Sequence, residues 1–401
     1  MSVKQRICIS GLGYIGLPTA ALLANCGYSV HGVDVVPSVV DTINRGEIHI
    51  VEPDLDAFVH AAVNSGHLKA ALGPAEANVF IIAVPTPFHA DLSPDITYVL
   101  SASRSIAPFL KPGNLVILES TSPVGTTEKV KAEIERAGVD TSQLFFAYCP
   151  ERVLPGHVMK ELIENDRIVG GLDTASTEKV AAFYRTFVKG AVLETNARTA
   201  EMCKLTENAS RDVSIAFANE LSMICDDLGI NVWELINLAN KHPRVNILRP
   251  GTGVGGHCIA VDPWFIVAQS PDKAKIIRQA REVNNYKTKW VVEKIINTCL
   301  RFRIDQKKKP KVACLGLAFK PDIDDLRESP AVEVVEKLLA EKIDCLIVEP
   351  NVESHPHFTL TSIDEAIAGA DILVLLVGHK VFKKRIFPEG KPVLDFVGLP
   401  Y

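Results

Sequence analysis

The stretch RICISGLGYIG, residues 6–16, decides the fold of the first part of the chain. RICIS is a short apolar run that predicts a β-strand, and it leads directly into GLGYIG, in which Gly11, Gly13 and Gly16 fit the pattern GxGxxG. Residues 17–26 then have the pattern of a helix, and a second strand over 28–33 ends at Asp34. A glycine turn between a strand and a helix, with an acidic residue closing the next strand, is typical of a dinucleotide-binding βαβ unit.

This unit also indicates which dinucleotide is bound. Bare glycines let the backbone approach a pyrophosphate, and the start of the helix offers unpaired N–H groups. The carboxylate of Asp34 can accept hydrogen bonds from the adenosine ribose but would repel a 2′-phosphate, so the sequence predicts NAD rather than NADP. The alternative is that the glycine turn only packs a helix against a strand. A bound NAD makes redox chemistry the leading hypothesis.

The rest of the chain continues the alternation of strand and helix, with one interruption. Apolar strands are expected at residues 79–84, 115–118 and 144–148, with helices at 97–110 and 127–137. The middle region is helical, with a long helix over 199–227 and further helices at 232–240 and 273–300. Strands return at residues 312–317, 345–348 and 372–377, with a helix at 331–340. We therefore predict an α/β fold, with a Rossmann-type doubly wound sheet (1–195), a central helical domain (196–302) and a C-terminal Rossmann-like α/β domain (303–401).

The composition excludes several classes of partner. The 401-residue chain has a net charge of −5 and no long basic run, so no nucleic-acid partner is expected. No apolar stretch approaches the roughly 20 residues of a membrane span, so no membrane association is expected. The nine cysteines are scattered, odd in number and without a CxxC pair, which indicates reduced thiols and a cytoplasmic location.

A polar stripe marks the long helix of the middle region. Its members are Glu201, Lys204, Asn208 and Arg211, spaced by three, four and three residues, so they share one helix face. A lysine and an asparagine in a covered crevice can stabilise a developing oxyanion. The solvated face of an amphipathic helix would show the same spacing, and this alternative stays open.

The stretch GVGGHCIAVDPW, residues 253–264, surrounds Cys258 with glycines. A metal site is not expected, because only His257 and Asp262 lie near this cysteine in the sequence. A buried structural thiol or a nucleophile remain as alternatives, and the glycines favour the nucleophile, since they would clear the approach for a ligand and offer N–H donors to a thiolate. A thiolate can capture an aldehyde as a thiohemiacetal, which loses a hydride to become a thioester that water hydrolyses. An alcohol would thus reach a carboxylate in two NAD-linked steps.

Six motifs together identify a family resemblance. They are GLGYIGLP (11–18), STSPVGTT (120–127), CPERVLPG (149–156), AEMCKLTEN (200–208), GVGGHCIAVDPW (253–264) and GLAFKPDIDDLRESPA (316–331). In these motifs, and in their order along nearly the whole chain, the sequence resembles the nucleotide-sugar 6-dehydrogenases, the UDP-glucose/UDP-mannuronate dehydrogenase family. The resemblance implies NAD-dependent, four-electron oxidation of a UDP-sugar at C6. It also implies an NAD-binding first domain, a dimerisation domain in the middle and a UDP-binding last domain.

The resemblance further implies catalytic roles. Cys258 is expected to be the nucleophile, with Lys204 and Asn208 stabilising the oxyanions. Asp262 is expected to support the cysteine loop and to polarise a water or the lysine. The residues expected near the sugar C6, assisting the hydrolytic water, are Glu151 and Thr121.

Binding residues follow from the same resemblance. NAD contacts are expected at Gly11, Gly13, Tyr14, Ile15, Gly16, Asp34, Thr86 and Thr121. Substrate contacts are expected at Glu151, Arg152, Lys204, Asn208, Arg211, His242, Arg244, Gly255, Lys320 and Arg327. Among these, Arg244 is expected to reach the substrate of the partner subunit in a homodimer.

The sequence departs from UDP-glucose dehydrogenases around the cysteine. Those enzymes carry an aromatic residue between the glycines and a proline-lysine pair before the aspartate, where this chain has Val254, Ala260 and Val261. This disfavours UDP-glucose and favours a UDP-2-acetamido sugar. Similarity over HIVEPDL (49–55) and KHPRVNI (241–247) favours UDP-N-acetyl-D-mannosamine, with UDP-N-acetylglucosamine as the alternative epimer. Two different functions compete with this reading: a single-step hydroxyacid dehydrogenase, and a non-catalytic NAD-sensing or scaffold protein.

Overall fold

The structure of the chain is a computed structural model that describes residues 5–154, 156–256 and 258–399. The chain divides into two compact units, Met1–Thr206 and Glu207–Tyr401. No helix formed by the described residues has both the length and the apolar character needed to cross a membrane.

An eight-stranded sheet forms the centre of the first unit. Its strands are β1 (Arg6–Ser10), β2 (Ser29–Val33), β3 (Leu68–Ala71), β4 (Val79–Ile82), β5 (Leu115–Leu118), β6 (Phe145–Tyr148), β7 (Arg167–Gly171) and β8 (Val192–Asn196). They lie in the order β3-β2-β1-β4-β5-β6-β7-β8. All pairs are parallel except β6 with β7, which run antiparallel where Tyr148 lies opposite Gly170. The predicted doubly wound sheet is confirmed, and β7 and β8 extend it beyond a reversal that the sequence did not indicate.

Helices connect these strands. They are α1 (Gly16–Asn25), α2 (Pro37–Asn44), α3 (Leu55–Asn64), α4 (Thr97–Ile106), α5 (Thr126–Arg136), α6 (Val158–Glu164) and α7 (Thr174–Tyr184). Every residue of β4 and β5 is buried, because helices cover both faces of a parallel sheet. This explains why these strands read as unbroken apolar runs in the sequence.

The second unit contains the helical region and a smaller sheet. Its helices are α8 (Ala197–Leu228), which begins within the first unit, α9 (Val232–Ala239), α10 (Asp262–Gln269), α11 (Lys275–Gln306), α12 (Pro330–Ala340) and α13 (Ile363–Gly369). Its strands are β9 (Lys311–Leu315), β10 (Asp344–Val348), β11 (Ile372–Leu375) and β12 (Val393–Asp395), all parallel in the order β10-β9-β11-β12. Ser329 caps α12 by accepting a hydrogen bond from the backbone of Ala331.

A buried polar network holds α8 against α11 and fixes the start of the cysteine loop. Arg281 Nη1 lies 2.7 Å from Asp212 Oδ1, and Asn284 Nδ2 donates to the same oxygen at 2.8 Å. Asn219 Nδ2 donates to Asn284 Oδ1, while Asn219 Oδ1 accepts the backbone N–H of Gly251 at 2.9 Å. Because buried polar groups need specific partners, the network sets one register between the two helices and the loop.

Candidate active site

The glycines of the first loop have three different surroundings. Gly11 has a φ of 93°, and a Cβ there would lie 2.5 Å from the carbonyl oxygen of Ala83. A Cβ on Gly16 would lie 1.8 Å from the carbonyl oxygen of Gly11, so the chain itself requires both glycines. A Cβ on Gly13 would have no atom within 4 Å. Open space therefore remains in front of the N-terminus of α1, which fits a dinucleotide pyrophosphate.

Asp34 lies beside this loop at the end of β2. Its Oδ2 accepts the backbone N–H of Leu12 at 3.1 Å, and its Oδ1 accepts the N–H of Val36 at 3.0 Å. The carboxylate is thereby oriented next to the open space at Gly13. This position matches that of the acidic residue that binds an adenosine ribose in βαβ units.

Two further residues expected at the cofactor lie after neighbouring strands. Thr86 follows β4 and Thr121 follows β5, and Thr86 Oγ1 donates to the Thr121 carbonyl oxygen at 2.6 Å. Because the carboxyl ends of parallel strands form the ligand-binding edge of such a sheet, both residues lie where a cofactor is expected. Tyr14 is exposed and Ile15 is half-buried at the start of α1.

Glu201, the first member of the polar stripe on α8, has a structural role. Its Oε1 accepts hydrogen bonds from the backbone N–H and the hydroxyl of Thr127, at 2.8 and 2.7 Å, and its Oε2 accepts from the N–H of Gly125. Burial raises the pKa of Glu201, against these hydrogen bonds, which favour the carboxylate. The side chain therefore satisfies the open N–H groups at the start of α5, which lies in the STSPVGTT motif.

Glu151, expected near the sugar C6, takes part in a buried ion pair. Its Oε2 lies 2.8 Å from Arg167 Nη1, and its Oε1 accepts the backbone N–H of Arg152 at 2.6 Å. Arg167 also donates to the Leu162 carbonyl oxygen at 3.1 Å. The guanidinium of Arg152 donates to the Asp166 carbonyl oxygen at 3.1 Å. The Glu151 carboxylate is thus held in one orientation by an arginine that sequence reasoning missed.

A second buried carboxyl group, also missed, lies near this pair. Glu119 is fully buried directly after β5, and its Oε1 accepts the hydroxyl of Tyr184 at 3.4 Å. Burial, then repulsion from Glu151, raises the pKa of Glu119 to about 8, while Arg167 opposes the shift. The protonated form of Glu119 is thereby favoured. Glu119 and Arg167 could have been found from the sequence, because each is a charged residue next to or inside an apolar strand.

One of the remaining stripe residues contacts the helix that follows the cysteine loop. Asn208 Nδ2 donates to Asp262 Oδ2 at 2.5 Å. Lys204 is half-buried on α8, one turn before Asn208. Arg211 lies one turn after Asn208 and adds to the effect of burial in lowering the pKa of Lys320, so these two cations are close to each other. Asn208 is thus half-buried and bonded to another element, whereas Arg211 is exposed.

Cys258 lies in the turn that leads into α10. Its carbonyl oxygen accepts the backbone N–H of Val261 at 3.1 Å and of Asp262 at 2.8 Å. Asp262, 4% exposed, begins the helix. Cys258 itself is half-buried and forms no disulfide. Within the described ranges, no group of three or more His, Cys, Asp or Glu side chains could hold a metal ion.

The glycines beside Cys258 allow close contact between two motifs, GVGGHCIAVDPW (253–264) and GLAFKPDIDDLRESPA (316–331). A Cβ on Gly255 would lie 2.4 Å from the carbonyl oxygen of Glu328, and one on Gly256 would lie 2.9 Å from the ring of Phe319. Gly256 also has a φ of 79°. These glycines allow the cysteine loop to pack closely against the segment 316–331, which is a different reason from the ligand approach expected from the sequence. His257 lies outside the described residues.

The other expected substrate residues are exposed. His242 and Arg244 lie in the loop after α9, where the Arg244 N–H donates to His242 Nδ1 at 3.3 Å. Arg327 Nε and Nη2 bind the two oxygens of Asp325 at 2.9 and 2.6 Å. This pairing fixes the orientation of the guanidinium, while the backbone carbonyl oxygen of Arg327 accepts the N–H of Gly256 at 3.3 Å.

Comparison with protein families gives three matches in order along the chain. Residues 5–188 match the NAD binding domain of the UDP-glucose/GDP-mannose dehydrogenase family, residues 198–286 its central domain, and residues 313–398 its UDP binding domain. The predictions of NAD and of a family resemblance are thereby confirmed.

Individual relatives cover almost the full length. The chain is 57% identical over 396 residues to UDP-N-acetyl-D-mannosamine dehydrogenase of Escherichia coli K12, covering 94% of each chain. It is 54% identical to an NDP-N-acetyl-D-galactosaminuronic acid dehydrogenase of Ralstonia nicotianae, over 95% of this chain and 92% of that one. The solved structure of a UDP-D-ManNAc dehydrogenase from Pyrococcus horikoshii superposes with a TM-score of 0.91 at 38% identity, covering 99% of this chain and 96% of that one.

Proposed function

The chain belongs to the UDP-glucose/GDP-mannose dehydrogenase family, and we propose that it oxidises UDP-N-acetyl-D-mannosamine at C6 to UDP-N-acetyl-D-mannosaminuronate with two molecules of NAD. The contact of Asn208 with Asp262, at the helix that follows Cys258, carries this proposal. This contact supports the proposal because it joins an amide that can donate to an oxyanion with a carboxylate at the end of the loop that carries Cys258. The identity to the mannosamine enzymes supports the choice of sugar.

The first oxidation converts the C6 alcohol to an aldehyde. When bound, NAD accepts one hydride in each of the two oxidations. Lys204 and Asn208 are proposed to donate hydrogen bonds to the C6 oxygen as its proton passes to a neighbouring water, because donors aimed at developing negative charge lower the barrier. The cofactor is proposed to be held at the glycine loop and the strand ends beside it, with the pyrophosphate at Gly13 and the ribose at Asp34.

The second oxidation needs a covalent step. Cys258 is proposed to add as a thiolate to the aldehyde carbon, forming a carbon–sulfur bond and a thiohemiacetal that is oxidised to a thioester. One water then attacks the carbonyl carbon, and the carbon–sulfur bond breaks to release the acid and the thiol. Asp262 is proposed to keep the loop and its water or lysine partner in place, and the residues proposed to orient the water are Glu151 and Thr121.

The second unit is proposed to hold the nucleotide of the substrate. Arg211 and Lys320 form a pair of neighbouring cations, which suits the negative charges of a diphosphate. We propose the boundaries 1–195, 196–302 and 303–401 for the NAD-binding, dimerisation and UDP-binding domains. The remaining substrate contacts proposed are those at Arg152, His242, Gly255 and Arg327.

We further propose a cytoplasmic homodimer. Phe217, Ile224 and Leu228 are 52%, 48% and 67% exposed along one side of α8, and such apolar surface is typical of an interface. In this dimer Arg244 is proposed to reach the partner's substrate, as the resemblance implies. All nine cysteines lie within the described residues and none forms a disulfide, which supports the cytoplasm.

A panel of nucleotide sugars tests the proposed reaction. UDP-N-acetyl-D-mannosamine, UDP-N-acetylglucosamine and UDP-glucose are each supplied with NAD, and NADH and uronate are quantified. We expect the first sugar to be the best substrate, with two NADH per uronate. One NADH per sugar, or no uronate, would contradict the four-electron mechanism.

A galactosamine sugar is the second candidate substrate. The Ralstonia relative, whose name refers to N-acetyl-D-galactosaminuronic acid, is nearly as similar as the mannosamine enzymes. UDP-N-acetyl-D-galactosamine therefore belongs in the same panel. A higher kcat/KM for it than for UDP-N-acetyl-D-mannosamine would transfer the proposal to that sugar and leave the mechanism intact.

A further inference from the structure

A cavity of about 400 Å³ lies in the second unit, lined by the end of α8, the start of α9, the middle of α11 and the strand β12. Its walls include the aromatic side chains of Trp233, Trp290 and Phe396. None of the proposed catalytic or binding residues lines it. The volume is in the range of small-molecule sites in proteins, about 300–1,000 Å³.

Lys287 is a buried charged residue of this cavity, and it is 2% exposed. Its Nζ donates to Ser222 Oγ at 2.8 Å and lies 3.8 Å from the ring centroid of Trp290 and 5.9 Å from that of Phe396. An ammonium group has three N–H donors, and the described residues offer it one hydrogen-bond acceptor and two ring faces. A buried charge normally has an opposite charge as partner.

The carboxylates of the cavity are engaged elsewhere. Asp226 Oδ2 lies 2.5 Å from Lys294 Nζ. Asp395 accepts three backbone N–H groups, at 2.8 to 2.9 Å, from the chain that follows β12. In the described part of the chain, Lys287 therefore makes no ion pair with a carboxylate. Burial lowers the pKa of Lys287 to about 7, with Asp226 opposing the shift and Lys294 adding to it.

We propose that this cavity is a binding site for a small carboxylate with a flat apolar body, whose carboxylate binds Lys287 and whose body packs against the aromatic walls. The carboxylate would supply both the missing acceptors and the missing counter-charge. A single negative charge suits this cavity, because its second cation, Lys294, is already paired with Asp226 and each additional buried charge would need a further cation. The site lies outside the proposed catalytic machinery, so its existence does not depend on the proposed reaction.

Benzoate is a suitable probe for this site. It is titrated into the full chain with saturating NAD and UDP, which keep other anion sites filled, and binding is followed by calorimetry and by the fluorescence of Trp233 and Trp290. We expect saturable binding that weakens at least about tenfold for the neutral analogue benzamide. Lys287→Met keeps the apolar stem and should lose binding to a similar extent. Lys289→Met, an exposed lysine of the same helix, should bind benzoate like the unmodified chain.

Proton uptake gives a test that needs no variant. Burial disfavours the ammonium form of free Lys287 at pH 8, above its lowered pKa, and a bound carboxylate would favour that form. Benzoate binding at this pH should take up as much as one proton, measured as the dependence of the binding heat on the ionisation enthalpy of the buffer. Affinity should fall as the pH rises above 7. Three results would each overturn the proposal: absence of benzoate binding, equal binding of benzamide, or undiminished binding by Lys287→Met.

Discussion

At the scale of single residues, the position of Cys258 is fixed through its backbone. Its carbonyl oxygen accepts the N–H of Asp262, whose carboxylate in turn accepts the amide of Asn208. None of these contacts uses the sulfur atom. Cys258→Ala changes only the side chain, so it keeps the backbone contact with Asp262.

We expect Cys258→Ala to keep its fold and its affinity for NAD and to lose acid formation by at least about a thousandfold, because the covalent step is absent. Uronate is quantified by mass spectrometry, and NAD affinity by titration. Cys203→Ala, a half-buried cysteine on α8, is the matched control and should remain active. Uronate formed by Cys258→Ala at a rate near that of the control would rule out the covalent mechanism.

Glu119 gives a prediction for the pH dependence of stability. The folded chain keeps the proton of Glu119 up to about pH 8, whereas the unfolded chain loses it near pH 4.5. Between these values the folded state binds more protons, so the contribution to the free energy of unfolding is complete below pH 4.5 and is lost as the pH rises to 8. Glu119→Gln mimics the protonated form and should remove this decline, which amounts to about 1.4 kcal/mol for each unit of pKa shift.

Urea unfolding of Glu119→Gln at several pH values measures this effect. Glu178→Gln, an exposed glutamate on α7, serves as the control and should keep the pH profile of the unmodified chain. Identical profiles for all three proteins would mean that Glu119 ionises normally in the folded state.

At the scale of elements, two glycines of the first loop are expected to have different roles. Gly16 is needed for folding, and Gly13 is needed for NAD binding. Gly16→Ala would place a Cβ against the carbonyl oxygen of Gly11, and we expect it to lower the free energy of unfolding by about 3 kcal/mol or more. Gly13→Ala adds a methyl group to open space, so it should keep its stability and bind NAD at least about tenfold more weakly. Thermal unfolding and NAD titration measure the two effects. Normal NAD affinity in Gly13→Ala would show that the pyrophosphate lies elsewhere.

Elements with a strong local pattern were predictable from the sequence. The strands β4 and β5 are buried on both sides and read as apolar runs, and α8 and α11 are long enough for their periodicity to be clear. The edge strand β8 was not predicted, because its residues VLETN are largely polar and partly exposed. The helix α10 was also missed, since it is short and follows directly from the glycine-rich loop.

The sequence motifs predicted which residues belong to the candidate site, but not the contacts between them. Asn208 and Asp262 are 54 residues apart in sequence, and only the fold shows that they share a hydrogen bond. The ion pair of Glu151 with Arg167 was hidden because Arg167 begins a strand that otherwise reads as apolar. Lys287 was hidden for a similar reason, since a lysine within a charged helix gives no sign that it is buried.

At the scale of the whole molecule, the exposed apolar side of α8 bears on assembly. We expect the double change Phe217→Glu and Leu228→Glu to convert a dimer to monomers, because it places charges in an interface that should exclude water. Analytical ultracentrifugation measures the mass, and circular dichroism checks the fold. Ile276→Glu and Ile304→Glu, exposed apolar residues of α11, are the matched controls and should leave the dimer intact. An unchanged mass in the first variant would place the interface elsewhere.

The order of strands has a consequence for how the chain folds during its synthesis. In the first sheet, β2 and β4 pair with β1, and each of the other strands pairs with one that precedes it in the sequence. The same is true of the second sheet, where β10 and β11 pair with β9, and β12 pairs with β11. A strand that leaves the ribosome thus finds its neighbour already made, so both sheets can grow outward from their first strand without waiting for the C-terminus.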